Sequence, residues 1–250
     1  LIVEAGTGVG KTLAYLIPSI VYSISNNKRV VISTNTINLQ SQLVSKDLPL
    51  ALSAIELINK EILKSFKFSE LKGRENYLCF RGLDKAIADK NISIDSAKLM
   101  SKVLVWLTKT QSGDKSEIGL ISSKHLDYWS SISAKDEKDC IGINGICFLK
   151  QARQNAFESN VVIVNHSLLI SDIVSGGALI PEYDLLIIDE AQDIERVSTK
   201  HFGFELSQSN LEDLFVRISE YSNLLKTFDF KAKLNISDVA DIDNFSENIK

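Results

Sequence analysis

Residues 5–12 read AGTGVGKT, three glycines packed ahead of a lysine and a threonine. Glycine costs stability inside regular elements and is kept where backbone turns sharply or comes close to something else. Such a loop opening a helix aims backbone N–H groups and the positive helix end at one point, the chemistry that holds a polyphosphate. In the general phosphate-loop pattern the first position is Gly; here it is Ala5, followed by Gly6, Thr7, Gly8, Val9 and Gly10. Lys11 would reach the β- and γ-phosphates, and the Thr12 hydroxyl would sit on Mg²⁺. A second cluster, LLIIDEAQ at residues 185–192, aims four apolar residues at Asp189 and Glu190. A carboxylate at a strand end beside a phosphate loop would hold Mg²⁺ (Asp189), and its neighbour would polarise the attacking water (Glu190).

The flanking residues must place these groups. Residues 1–5 and 29–33 (RVVIS) are short apolar runs of the kind that form buried strands of a parallel sheet. Between them, residues 12–24 repeat apolar positions at helical spacing, predicting a strand–helix–strand unit with a right-handed crossover. Residues 37–43 predict a second helix, and residues 50–67 continue in helical register with Leu52, Ile55, Ile58 and Ile62 on related faces. Two further buried strands are predicted at VVIVN (161–165) and LLIID (185–189), separated by a helix from about Ser167 that closes at SGG (175–177). His166 is expected to be positioned where that helix begins rather than to bind a metal. Lys11 and Asp189 stand 178 positions apart. Short αβ loops and helices of ordinary length need about half of that, so something of domain size interrupts the core.

The 250 residues carry a net charge of −4, so any nucleic-acid surface must be local. No apolar run reaches the roughly 18 residues of a membrane span. Three cysteines exclude a fully paired disulfide framework and make the cytosol the default compartment. Both ends read as cut, as in a fragment of a longer protein.

The combination resembles the DinG/XPD-type superfamily 2 DNA helicases, in their bacterial DinG/YoaA branch. EAGTGVGKTLAYLIP looks like motif I, residues 30–49 (VVISTNTINLQSQLVSKDLP) resemble motif Ia, LKGRENYLC (71–79) resembles the start of the iron–sulfur domain, and VVIVNHSLLISD (161–172) resembles the lead into motif II. The likeness covers most of residues 1–206. It implies an α/β fold: a parallel-sheet, RecA-like motor domain at 1–70 and 156–203, an inserted, mainly helical, cysteine-bearing domain at 71–155, and the start of a helical arch at 204–250. It implies ATP and Mg²⁺ as ligands, with Gln192 among the nucleotide contacts, where that branch usually has His. It also implies 5′→3′ movement on single-stranded DNA, unwinding of forked or structured DNA in repair or replication, and a monomer.

In the resembled family the insert holds a [4Fe-4S] cluster on four cysteines. Cys79 matches the first ligand, Cys140 the second and Cys147 the last; the third has no counterpart in the short stretch IGINGI. Three thiolates with a further ligand, or three buried inert thiols, both remain open. Zinc fits less well, because no C-x₂-C pair is present.

Thr34, Asn35 and Thr36, with Gln40 on the next helix, offer uncharged donors suited to a nucleic-acid backbone. Lys72 and Arg74, near Arg81, Tyr77 and Phe80, mix cations with aromatics as single-strand channels do; a solvated basic face is the alternative. Trp129 and Tyr128 are expected to pack. The leading expectation is an ATP-dependent DNA helicase whose present residues alone bind and hydrolyse ATP weakly. The alternative is a P-loop ATPase that drives a protein machine without translocating on DNA.

Overall fold

The computed structural model describes residues 1–6, 8–88, 93–120, 122–135 and 147–203. Residues Leu1–His201 form one compact unit. The second, Phe202–Lys250, lies almost wholly outside the described residues, and with it the expected arch.

The first unit is built on a parallel sheet. Its strands are β1 (Val30–Thr34), β2 (Phe68–Glu70), β3 (Val161–Asn165) and β4 (Leu185–Ile188), in the order β2-β3-β1-β4. Val30 aligns with Val161 and Leu185, and Thr34 with Asn165. The two central strands are buried at every position, as their unbroken apolar runs require when both faces are covered. Alternation along the strands divides the core. Val30, Ile32, Val161 and Ile163 face Leu16 and Ile20 of α1 (Lys11–Asn26) and Leu48, Ala51 and Ile55 of α3 (Leu48–Asn59). Val31, Val162 and Val164 face the other way, against Leu168 and Leu169 of α8 (His166–Val174) and Ala156 of α7 (Phe148–Glu158). Each such side chain contributes roughly 1.5–3 kcal/mol when fully buried.

Arg29 pins the opposite end of the sheet. Its Nε donates to the Ser159 carbonyl at 3.1 Å, and its two terminal nitrogens to Glu182 and Phe157 carbonyls, both at 2.6 Å. One planar cation therefore ties together the segments leading into β1, β3 and β4.

Three sequence expectations change. Residues 1–5 form no strand, and Leu1, Ile2 and Val3 are exposed. β4 is only half-buried, because it is an edge strand with β1 as its neighbour. The predicted helix 50–67 begins earlier and ends as α3 at Asn59, followed by a 3₁₀ turn (Lys60–Ser65), and Ile58 faces solvent. β2 carried no sequence signal, being three residues on the far edge. The helix at 37–43 appears as α2 (Ile37–Gln42). The predicted close of α8 is also found: Gly176 and Gly177 take positive φ, and Gly177 N–H returns to the Asp172 carbonyl at 2.8 Å.

Residues after β2 gather around a separate hydrophobic cluster. α4 (Phe80–Ala88), α5 (Ile94–Leu107), α6 (Ser123–Ile132) and the start of α7 surround Tyr77, Leu83, Leu99, Val103, Trp129, Ile132 and Phe148. Trp129 packs as expected, its indole N–H donating to the Glu75 carbonyl at 2.9 Å. Gly113, at φ 66°, lies against the Phe148 ring where any Cβ would collide.

Candidate functional site

The strands point their carboxyl ends at one rim, where parallel α/β sheets place their ligand chemistry. Gly10 caps α1 in the left-handed region at φ 84°, and Gly8 is at 77°. Above Gly6, Gly8 and Gly10 the space a Cβ would fill is open. No side chain caps α1, so its first N–H groups stay available to an outside acceptor. Ala5 is half-buried, Val9 is exposed, and Thr7 lies outside the described residues.

Lys11 folds back over this loop. Its Nζ donates to the Ala5 carbonyl at 3.0 Å and lies 3.9 Å from Glu190 Oε1, both side chains being about one-third exposed. Asp189 directly follows β4, its N–H donating to the Ser33 carbonyl at 2.8 Å. Tyr15, one turn into α1, donates its hydroxyl to Asp189 Oδ2 at 3.2 Å. Burial first, and then the Asp189 charge, pushes the Tyr15 hydroxyl far up, so it remains a donor at neutral pH. Thr12 is half-buried beside it. Glu190 sits in the left-handed region at φ 54°, an uncommon conformation for a non-glycine residue and one concentrated at functional sites. Gln192 donates to Glu190 Oε2 at 2.6 Å. Groups 178 positions apart thus share one corner, where an amine and two carboxylates lie beside a glycine loop. These residues fit a magnesium-bound nucleotide: carboxylate and hydroxyl oxygens for a hard cation, and free N–H groups for phosphate.

The residues expected to contact nucleic acid divide. Thr36 is exposed, though its hydroxyl caps α2 by accepting from Leu39 N–H at 3.2 Å. Arg74 is exposed. Asn35 is half-buried and donates to Asp193 Oδ2 at 2.7 Å, tying this loop to the acidic turn. Three others are corrected. Thr34 is 1% exposed and bonds the Thr36 carbonyl. Gln40 is fully buried; its amide donates to Leu71 and Ile163 carbonyls at 3.0 and 2.8 Å, holding α2 to the sheet. Lys72 is 2% exposed and is locked to Asp114 at 2.6 Å and Glu70 at 3.3 Å. Their donors are satisfied inside the protein, which sequence spacing could not reveal. Tyr77 is likewise core, its hydroxyl accepting from Lys72 N–H at 3.0 Å. A groove of about 600 Å³ runs nearby, lined by Ile37, Arg74, Lys135, Arg153, Asn165 and His201 among others.

Cys79 is buried and Cys147 half-buried. Phe80 and Phe148, the residues that follow them, stack at 5.3 Å and bring the two cysteine segments together. Cys140 lies outside the described residues.

A glycine loop at a helix start, beside an acidic turn at the edge of a parallel sheet, is the arrangement of P-loop nucleotide-binding proteins. No family model matches the chain. Curated relatives are more informative. The chain is 34% identical over 230 residues to the ATP-dependent helicase DinG of Mycobacterium tuberculosis, covering 84% of this chain and 34% of that protein. It is 36% identical over 226 residues to the ATP-dependent DNA helicase YoaA of Escherichia coli (86% and 33%), and 34% identical over 219 residues to the 3′-5′ exonuclease DinG of Bacillus subtilis (87% and 23%). Over most of its length the chain is similar to proteins named as DinG and YoaA helicases, and it spans about a third or less of the length of these relatives.

Proposed function

We propose that these residues form the ATP-binding part of an ATP-dependent DNA helicase, a single-strand translocase that moves 5′→3′ and opens forked or structured duplexes in repair or replication. The observation that carries this reading is Lys11 Nζ at 3.9 Å from Glu190, beside Asp189, at the mouth of an open glycine loop. Lys11 supplies the cation for the β- and γ-phosphates, and the N–H groups opening α1 cradle them. Thr12 and Asp189 would hold Mg²⁺, which neutralises phosphate charge when bound. Glu190 orients and polarises the attacking water, with Gln192 steadying its carboxylate.

The groove bearing Arg74, Lys135 and Arg153 supports backbone contact with single-stranded DNA. Thr36 and Asn35 border the same rim. The proposal divides the chain into a motor domain at 1–70 and 156–203, an insert at 71–155 and the beginning of an arch at 204–250, acting in the cytoplasm as a monomer. The insert would carry an iron–sulfur cluster on Cys79, Cys140 and Cys147 with a further ligand; the convergence of the Cys79 and Cys147 segments supports a shared site.

The test is ATP turnover by the full-length protein, with and without single-stranded DNA, at low and high salt. Turnover should rise with DNA, the rise should fade with salt, and Lys11→Ala should lower turnover on the order of a hundredfold. Lys11-dependent turnover indifferent to DNA would instead favour an ATPase that drives a protein machine.

A further inference from the structure

The acidic turn is tied to the exit of β1 at both of its ends. Where the turn begins, the Asp189 N–H donates to the Ser33 carbonyl at 2.8 Å, one residue past the last register pair, Ser33 with Ile188. Where it closes, Asp193 Oδ2 accepts from the side-chain amide of Asn35 at 2.7 Å. Glu190 lies between these two attachment points. Inside the turn, the Asp193 N–H donates back to the Glu190 carbonyl at 3.0 Å. Asp193 therefore holds Glu190, and Asn35 holds Asp193.

The direction of the Asn35 bond follows from its partner. A carboxylate can only accept from an amide, so Nδ2 faces Asp193, and charge-assisted bonds of this kind are short and strong. Asn35 is the better anchored of the two. It leaves a strand that is buried at every position. Thr34 before it is 1% exposed and donates its hydroxyl to the Thr36 carbonyl at 3.2 Å, and Thr36 after it caps α2. The other side has less support. Residues Ala191–Asp193 form a short 3₁₀ turn with no buried residue, and the Arg196 that meets Asp193 Oδ1 at 3.3 Å is exposed. Glu190 itself, at φ 54°, occupies a region that residues with a Cβ disfavour and that persists where the surroundings impose it.

We propose that Asn35 is a positioning residue for hydrolysis: its amide fixes the Asp193 carboxylate, which closes the turn on the Glu190 carbonyl and so sets the aim of the Glu190 side chain. The inference rests on the ATPase reading above and deepens it. The carboxylate that polarises water takes its direction from the residue beside Thr36, on the rim proposed for single-stranded DNA.

The experiment uses the full-length protein at saturating single-stranded DNA. It compares wild type with Asn35→Ala, Asp193→Ala, both together, Asn35→Asp, and the reversed pair Asn35→Asp with Asp193→Asn. It measures kcat, KM for ATP, melting temperature and the affinity for a non-hydrolysable ATP analogue. Each alanine variant should lower kcat on the order of tenfold, with analogue affinity within about twofold, because phosphate binding belongs to the loop. The double alanine variant should lose no more than either single one, since both remove the same bond. Asn35→Asp sets two carboxylates face to face and should lose at least as much. The reversed pair rebuilds the bond with donor and acceptor exchanged, and should recover most of the lost kcat. Unchanged kcat in Asp193→Ala, or a reversed pair no more active than Asn35→Asp alone, would overturn the proposal. So would losses of kcat matched by falls in analogue affinity and melting temperature. Wild-type protein without Lys11-dependent hydrolysis would fell the ATPase reading itself. Lys11-dependent hydrolysis that ignores the Asn35–Asp193 pair would fell this inference alone.

Discussion

Two lysines sit at opposite edges of one sheet and show how the same charge serves different ends. Lys72, past the end of β2, is 2% exposed and is enclosed by Asp114, Glu70, Ser41 and Ser116. Lys11, facing the β4 edge, is one-third exposed and meets Glu190 only at 3.9 Å. The first lysine is consumed by the fold. It joins the sheet edge to the loop leading into the 3₁₀ turn at Lys115–Glu117. The second is held in place by a single backbone carbonyl, with its charge turned toward open space.

The sharpest way to separate the two edges is to remove charge from each. Glu190→Gln in the full-length protein should cut ATP turnover on the order of a hundredfold or more while analogue binding persists, as measured by titration. Its melting temperature should barely move, since a partly exposed ion pair is worth roughly 0–1 kcal/mol. Lys72→Met should do the reverse. Losing one member of a buried ion cluster strands Glu70 and Asp114, costing roughly 3–5 kcal/mol and about 10 °C of melting temperature in a thermal scan. A Lys72→Met protein that melts like wild type would erase the contrast.

The smallest effect is one of pH. Burial raises the Glu70 pKa above its ordinary 4.5, although nearby Lys72 pulls it down. Between 4.5 and that raised value the folded protein binds more protons at Glu70 than the unfolded chain does. Its contribution to stability therefore falls as pH rises through the window and is level above it. Glu70→Gln should flatten that part of the profile, read as the urea midpoint from pH 4.5 up to neutrality. A slope unchanged by the substitution would assign the window to another group.

Much of the corner that joins the glycine loop to the acidic turn was legible in residue order. Gly8, Gly10, Lys11 and Asp189 carry their chemistry in residue type and local order, and the loop, helix and strand that present them are short-range elements. The apolar runs of β1 and β3 announced burial on both faces. Gln40, Lys72 and Tyr77 misled for the converse reason. An amide, an ammonium or a phenol has the same donors whether it faces solvent or a carbonyl across the core, and burial depends on what packs above it. β2 was invisible because three residues at an edge leave no period to detect.

From residue order alone came the glycine loop at a helix start, the acidic strand end and the parallel α/β core. Those features are set by backbone freedom and by hydrophobic repeat, both written locally. Long-range packing supplied the rest: the meeting of Lys11 with Glu190, the Tyr15 bond to Asp189, the Lys72 joint and the Ser33–His166 pair. Each of these joins residues dozens of positions apart in sequence or on different elements. Such distances are fixed only when strands align in register and helices close over them.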